Sequence, residues 1–193
     1  MAFDLSRIAF DPRKNYAGVV MEQGRVQLDS DWNEWLAELN RRLQAETLDL
    51  LGHAAYPSTT PGAFQITATS GPTAISIGCG RMYVDGLLAE NHGDTAGEQW
   101  DPALTELSGA PQPPAEPPPP PSPSNTVDFE HQRFYPGAQL PAGDGPYLFY
   151  LDVWLRAVTW LEDSDLIEKA VGVDTTGRIQ TVWQVKWMGF PDG

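Results

Sequence analysis

Cysteine is nearly absent. Cys79 is the only one in 193 residues, so the chain cannot close an internal disulfide, and a cysteine-based zinc site lacks its ligands. Basic residues are also few, with 12 Lys+Arg against 26 Asp+Glu and a formal net charge of −14. Nucleic acids and anionic membrane surfaces are gripped by clustered Lys and Arg, which excludes both as the main partner. No run approaches the ~18 apolar residues of a membrane span. The opening Met-Ala-Phe-Asp-Leu-Ser-Arg has no basic stretch leading into an apolar one. The expectation is a protein made in the cytoplasm without a signal peptide.

Catalytic motifs are missing as well. There is no Gly-x-Ser-x-Gly, no Walker loop and no Gly-x-Gly-x-x-Gly. The histidines His53, His92 and His131 stand 39 residues apart, so none pair at helical spacing to hold a metal. Nothing in their spacing favours pairing one of them with Cys79 for nucleophilic chemistry over a small, buried strand residue at that position. Gly78-Cys-Gly80 is too little for a phosphate cradle and reads as a β-bulge. Glu162, Asp163 and Asp165 follow a long β run, where they suit calcium or a general acid. They lack the spacing of a calcium loop, and a solvated acidic turn explains them. These absences predict a non-enzyme with no cofactor and no metal.

The chain has enough apolar residues, 41%, to bury a core. Its charge is uneven. Residues 85–174 hold 16 acids and only Arg133, Arg156 and Lys169 as bases, whereas residues 1–53 hold 9 acids and 6 bases. Nine of the 18 prolines fall between Pro111 and Pro123. Proline lacks the N–H and fixes φ near polyproline II, so this stretch joins neither helix nor sheet. A spacer and a docking site for a proline-recognition domain both fit it.

The spacing of Trp32, Trp35, Leu36, Leu39, Leu43, Leu50 and Leu51 predicts an amphipathic helix over 31–51. Asp31 is its expected N-cap, with Glu34 completing a capping box, and Gly52 its expected left-handed C-cap. Glu38 and Arg42 are spaced for an i,i+4 pair. Before the helix, residues 10–16 read as a turn-rich arm, and Gly24 marks a turn or bulge. Such an arm has little core of its own and should gain order only by docking. From residue 63 the pattern is β. Residues 80–90 predict a hairpin with Asp85-Gly86 in a type I′ turn. Residues 147–160 and 178–187 predict long strands. The fold class expected is α+β: an extended N-terminal arm and one long amphipathic helix, then a mainly antiparallel β body with a proline-rich insertion. The expected divisions are 1–53, 63–109, 110–125 and 126–193.

Residues 10–34, Phe10-Asp-Pro-Arg-Lys-Asn-Tyr-Ala-Gly-Val-Val-Met-Glu-Gln-Gly-Arg-Val-Gln-Leu-Asp-Ser-Asp-Trp-Asn-Glu34, resemble the N-terminal signature of an uncharacterised domain family. That family occurs in bacterial gene clusters for phage-tail-like contractile injection systems. Gln23 to Glu34 carry its core motif. Gly80-Arg-Met-Tyr-Val-Asp-Gly86, Tyr150-Leu-Asp-Val-Trp154 and Thr181-Val-Trp-Gln-Val-Lys186 are similar to later blocks of the family. Glu22, Trp35 and Leu155 depart from its usual residues.

The resemblance implies a structural subunit in or around a baseplate and spike, for instance a cage. It would be present in several copies and contact other baseplate or spike subunits. Tyr16, Val19, Arg25, Leu28, Trp32 and Trp35 are the expected interface residues, with Arg25 pairing to an acid on a neighbour. Two other readings are open. One is a glycan-binding adhesin or fibre-tip module that stacks sugars on Trp100, Trp154, Trp160 or Trp187. The other is a cell-wall glycoside hydrolase.

Overall fold

The computed structural model describes residues 3–68, 74–93, 126–143 and 145–189. Trp100 and the proline-rich segment 110–125 lie outside the described residues. The elements begin with a helix, α1, Asp29–Leu51. Short strands follow: β1 Ala54–Ala55, β2 Ile66–Ala68, β3 Ile75–Gly78, β4 Gly80–Val84, β5 Leu87–Asn91 and β6 Thr126–Asp128. The remaining strands are β7 Tyr147–Val158, β8 Ile167–Glu168, β9 Val173–Asp174 and β10 Arg178–Gly189. One helix with mainly antiparallel sheets makes the fold α+β. No helix of the described residues is long and apolar enough to cross a membrane.

The chain divides into two compact units. The first joins Met1–His53 to Leu155–Gln180, and the second joins Ala54–Trp154 to Thr181–Gly193. Residues 155–180, read from sequence as part of the second β segment, therefore group with the arm and helix. Strands β7 and β10 pair with each other, and each contributes residues to both units.

In the first unit, α1 forms because strong helix formers fill it and only Thr47 is β-branched. Its start differs from the sequence expectation. The N-cap is Leu28, in extended conformation, and Asp31 lies at the third helical position. From there the Asp31 carboxylate reaches back and accepts the Leu28 N–H at 3.2 Å. Asp31 thus supplies the acidic half of a capping box, the role assigned from sequence to Glu34. At the other end Gly52 stops the helix and donates its N–H to the Leu48 carbonyl at 2.8 Å. Its φ of 80° and ψ of −168° put it in a region open essentially to glycine, outside the left-handed helical well that was expected. The Glu38–Arg42 pair does not form through Oε2 of Glu38, which is buried with no hydrogen-bond partner.

The arm is a series of self-contained turns. Asp11 caps a 3-10 turn, Pro12–Lys14, and holds the Arg13 guanidinium through both carboxylate oxygens at 2.9 Å. Gly24 has φ 74° at the third position of a turn closed by Arg25 N–H to Glu22 carbonyl at 3.3 Å. Gln23 before it keeps a negative φ, so the turn has the type II pattern. The first residues of the arm have partners in their own chain. The Phe3 ring fills the space where a side chain at Gly177 would stand. Ser6 donates its N–H to Asp29 at 3.0 Å and its hydroxyl to the other carboxylate oxygen. Arg7 Nε donates to Ser30 Oγ at 3.2 Å. Phe3, Ser6 and Arg7 therefore find partners within their own chain.

In the second unit, β1, β4 and β5 form one antiparallel sheet, and β2, β3 and β6 another. The β4–β5 hairpin turns at Asp85 and Gly86, with φ 48° and 77°, as a type I′ turn requires. Gly78-Cys-Gly80 is not a bulge within one strand. It is the corner where the chain leaves the β2–β3–β6 sheet and enters the β1–β4–β5 sheet. Gly78 exchanges backbone hydrogen bonds of 2.9 Å with Phe64 and Gln65. A Cβ at Gly78 would stand 1.9 Å from the Gly62 carbonyl oxygen, so only glycine allows this approach.

The core gathers on Trp183. Phe64 and Phe134 meet its ring edge-to-face, with centroids 5.1 and 6.1 Å away. Its indole N–H donates to the Glu90 carbonyl at 2.7 Å. Ile77, Ala89, Phe129 and Val185 close the cluster. Alternation along β10 puts Val182, which is buried too, on the opposite face from Trp183 and Val185. Trp183 and Val185 are the pair that enters this cluster.

Candidate interaction surface

Four of the six sequence-predicted interface residues present much of their apolar surface to solvent: Tyr16, Leu28, Trp32 and Trp35. Val19 is half-buried. The exposed Arg25 already has a partner in its own chain, Glu22, at 3.7 Å. Trp32 and Trp35 touch each other edge-to-face at 5.8 Å. Tyr16 carries the Lys14 ammonium over its ring at 5.6 Å.

The open surface extends beyond those six. Val20 and Val26 on the arm are 87% and 84% exposed, more than either tryptophan. They went unnoticed in the sequence because an arm of turns has no periodicity to set an apolar residue apart. On α1, Leu36, Leu39, Leu43 and Leu50 continue the tryptophan stripe and are equally open.

The side of α1 that is covered is the opposite one. At about 100° per residue, Ser30, Ala37 and Leu48 lie roughly 120–180° around the helix from Leu39 and Leu43. Ser30 is fully buried, and Ala37 and Leu48 are half-buried. An amphipathic helix ordinarily turns its large apolar residues inward. Here Ser30, Ala37 and Leu48 face inward, and the stripe of Trp32, Trp35, Leu36, Leu39 and Leu43 faces out.

Several carboxylates of this unit are engaged in local structure. The Ser6 hydroxyl and N–H hold the Asp29 carboxyl below its usual range. The Arg13 side chain does the same to Asp11. Glu162 accepts from the Thr159 N–H at 2.9 Å and from its hydroxyl at 2.5 Å, which lowers the Glu162 pKa. Asp163 accepts the Asp165 N–H at 3.1 Å. These acids close turns, as the solvated-turn reading anticipated. Among the described residues no three His, Cys, Asp or Glu side chains are grouped to hold a metal ion.

The tryptophans considered for sugar stacking are already in use to different degrees. Trp154 carries Lys186 Nζ over its ring at 5.4 Å. Trp187 donates its indole N–H to the Gln139 carbonyl at 2.8 Å and packs on Tyr147 at 5.3 Å. Trp160 is 43% exposed.

A model for a protein family of unknown function, DUF6519, matches residues 1–190. The chain belongs to DUF6519. No curated protein and no solved structure matches it. The DUF6519 match takes in both compact units, and with them the arm, the outward stripe of α1 and the Trp183 core.

Proposed function

We propose that this DUF6519 protein is a structural subunit of a bacterial contractile injection system, in or around the baseplate and spike of the phage-tail-like particle. Its arm and α1 dock on neighbouring baseplate or spike subunits, and several copies enter each symmetric particle. It acts by binding, without catalysis and without a cofactor. It is made in the cytoplasm and incorporated into the particle.

The observation that carries the docking role is the outward tryptophan–leucine stripe of α1, continued by the open apolar residues of the arm. Large apolar residues left outside a core mark an interaction site more often than a solvated face, and tryptophan is enriched where binding energy concentrates. The place in a contractile particle rests on the resemblance carried by residues 10–34 and the later blocks.

Deletion of residues 1–28 tests this reading. Particles purified from cells carrying the truncated chain are imaged and probed for the subunit. Loss of the subunit from the particle is the expected result. Normal particles that retain it would sink the proposal.

A further inference from the structure

We infer that α1 is also a self-association helix, and that its stripe pairs antiparallel with the same stripe of a second copy. The inference deepens the docking reading by naming one occupant of the helix face. It does not depend on where in a particle the protein sits.

Three observations support a second copy. The first is spacing. Trp32, Leu36, Leu39 and Leu43 follow one another at intervals of four, three and four residues, the repeat of a coiled-coil seam. That seam is open, while Ser30 on the other side of the helix is fully buried. The side chains that would act as knobs for a partner helix are therefore already turned away from the chain that carries them.

The second is self-complementarity. An antiparallel pair centred between Leu36 and Leu39 places Trp32 against Leu43 of the other copy and Leu36 against Leu39. The same register brings the flanking Trp35 alongside Arg42 of the other copy, and Asn33 alongside Asn40. Arg42 has no ion-pair partner among the described residues, and guanidinium over indole is a favourable contact. Two-fold symmetry makes each of these contacts twice. Parallel pairing would set Glu46, which continues the seam beyond Leu43, against its own copy. The antiparallel register never sets Glu46 against itself; it places Glu46 at the edge of the contact, opposite Asp29, the first residue of α1 in the other copy.

The third is area. Trp32, Trp35, Leu36, Leu39 and Leu43 are between 42% and 53% exposed. Aromatic side chains bury 150–250 Å² each when fully covered, so the half-exposed Trp32 and Trp35 together with the three half-exposed leucines offer at most on the order of 500 Å² per copy. Two copies then bury up to about 1,000 Å², the threshold for a specific interface.

Sedimentation of the full chain over a concentration series tests the inference. The expected result is a monomer–dimer equilibrium that Leu39→Glu abolishes and Arg42→Glu weakens by about tenfold. The substituted side chains of α1 are exposed, and circular dichroism of each variant, the Cys79→Ala background included, confirms that α1 and the fold persist. Register is read by cross-linking in a Cys79→Ala background. Asn33→Cys copies mixed with Asn40→Cys copies should join through a short bis-maleimide, and Asn33→Cys copies alone should not. A monomer at every concentration overturns the inference, and so does a dimer insensitive to Leu39→Glu. Cross-linking of Asn33→Cys copies alone overturns the antiparallel register. If the chain is monomeric and the 1–28 deletion still removes it from particles, self-association fails while the docking reading stands.

Discussion

Ser6 donates both its backbone N–H and its hydroxyl to the two carboxylate oxygens of Asp29, 23 residues along the chain. Asp29 is the first residue of α1, where the helix dipole favours a negative charge. The contact fastens the start of the arm to the start of the helix. Because it lowers the Asp29 pKa, the fastening is complete above the unfolded carboxylate value of about 3.9 and is lost as pH falls through the lower folded value. Hydrogen exchange at the Ser6 amide should stay protected at neutral pH and lose that protection only below about pH 4. Asp29→Ala should abolish it at every pH. The contact is exposed, so the melting temperature should move little.

Gln132 should be a large single contributor to the second unit. Its side-chain amide donates to the carbonyls of Phe129 at 2.9 Å and Val185 at 3.0 Å, and accepts the Val185 N–H at 2.6 Å. It thus serves Val185 as a neighbouring strand would. Gln132→Ala leaves these buried backbone groups unpaired and should cost about 2–3 kcal/mol in chemical denaturation. A cost below ~1 kcal/mol would mean that water takes over the three bonds.

Two glycines separate close packing from backbone conformation. Gly78→Ala drives a methyl group into the Gly62 carbonyl and should cost more than about 3 kcal/mol, enough to lower soluble yield. Gly172 has φ +72° with open space around it, so Gly172→Ala should cost only about 1 kcal/mol. Thermal melts of the two variants side by side give the comparison.

Lys186 responds to base. Its ammonium donates to Asp152 at 2.7 Å, which raises the Lys186 pKa, and lies over the Trp154 ring. The stabilisation is complete below the unfolded value of about 10.4 and is lost as pH rises through the higher folded value. Trp154 emission should therefore change only above about pH 10.4. Lys186→Met should remove that transition and cost about 1 kcal/mol or less.

The features legible in the sequence were those with a period or a specific turn chemistry. The stripe from Trp32 to Leu51 announced α1, and Asp85-Gly86 announced the hairpin. The start of α1 was not legible, because Leu28 offers no capping side chain and Asp31 caps from inside the helix. The corner at Cys79 resembled a bulge, because glycines beside a strand carry the same signal whether one strand bends or two sheets meet. Gln132 had no sequence mark at all, since its three hydrogen bonds come from packing distant in sequence. The tryptophans of α1 were visible as an apolar stripe. Their outward orientation was not, because periodicity locates a face without saying what covers it.

Both units are discontinuous in sequence, and this sets a timetable for synthesis. Leu51 leaves the ribosome 104 residues before Leu155, the first residue of the segment that completes the arm-and-helix unit. At 5–20 residues per second the nascent helix waits roughly 5–20 s with its inner face of Ser30, Ala37 and Leu48 uncovered, in addition to the tryptophans and leucines that stay open. The other unit waits for Thr181 and the residues after it. Neither unit can finish while the chain is still short, so chaperone capture during translation should fall mainly on α1.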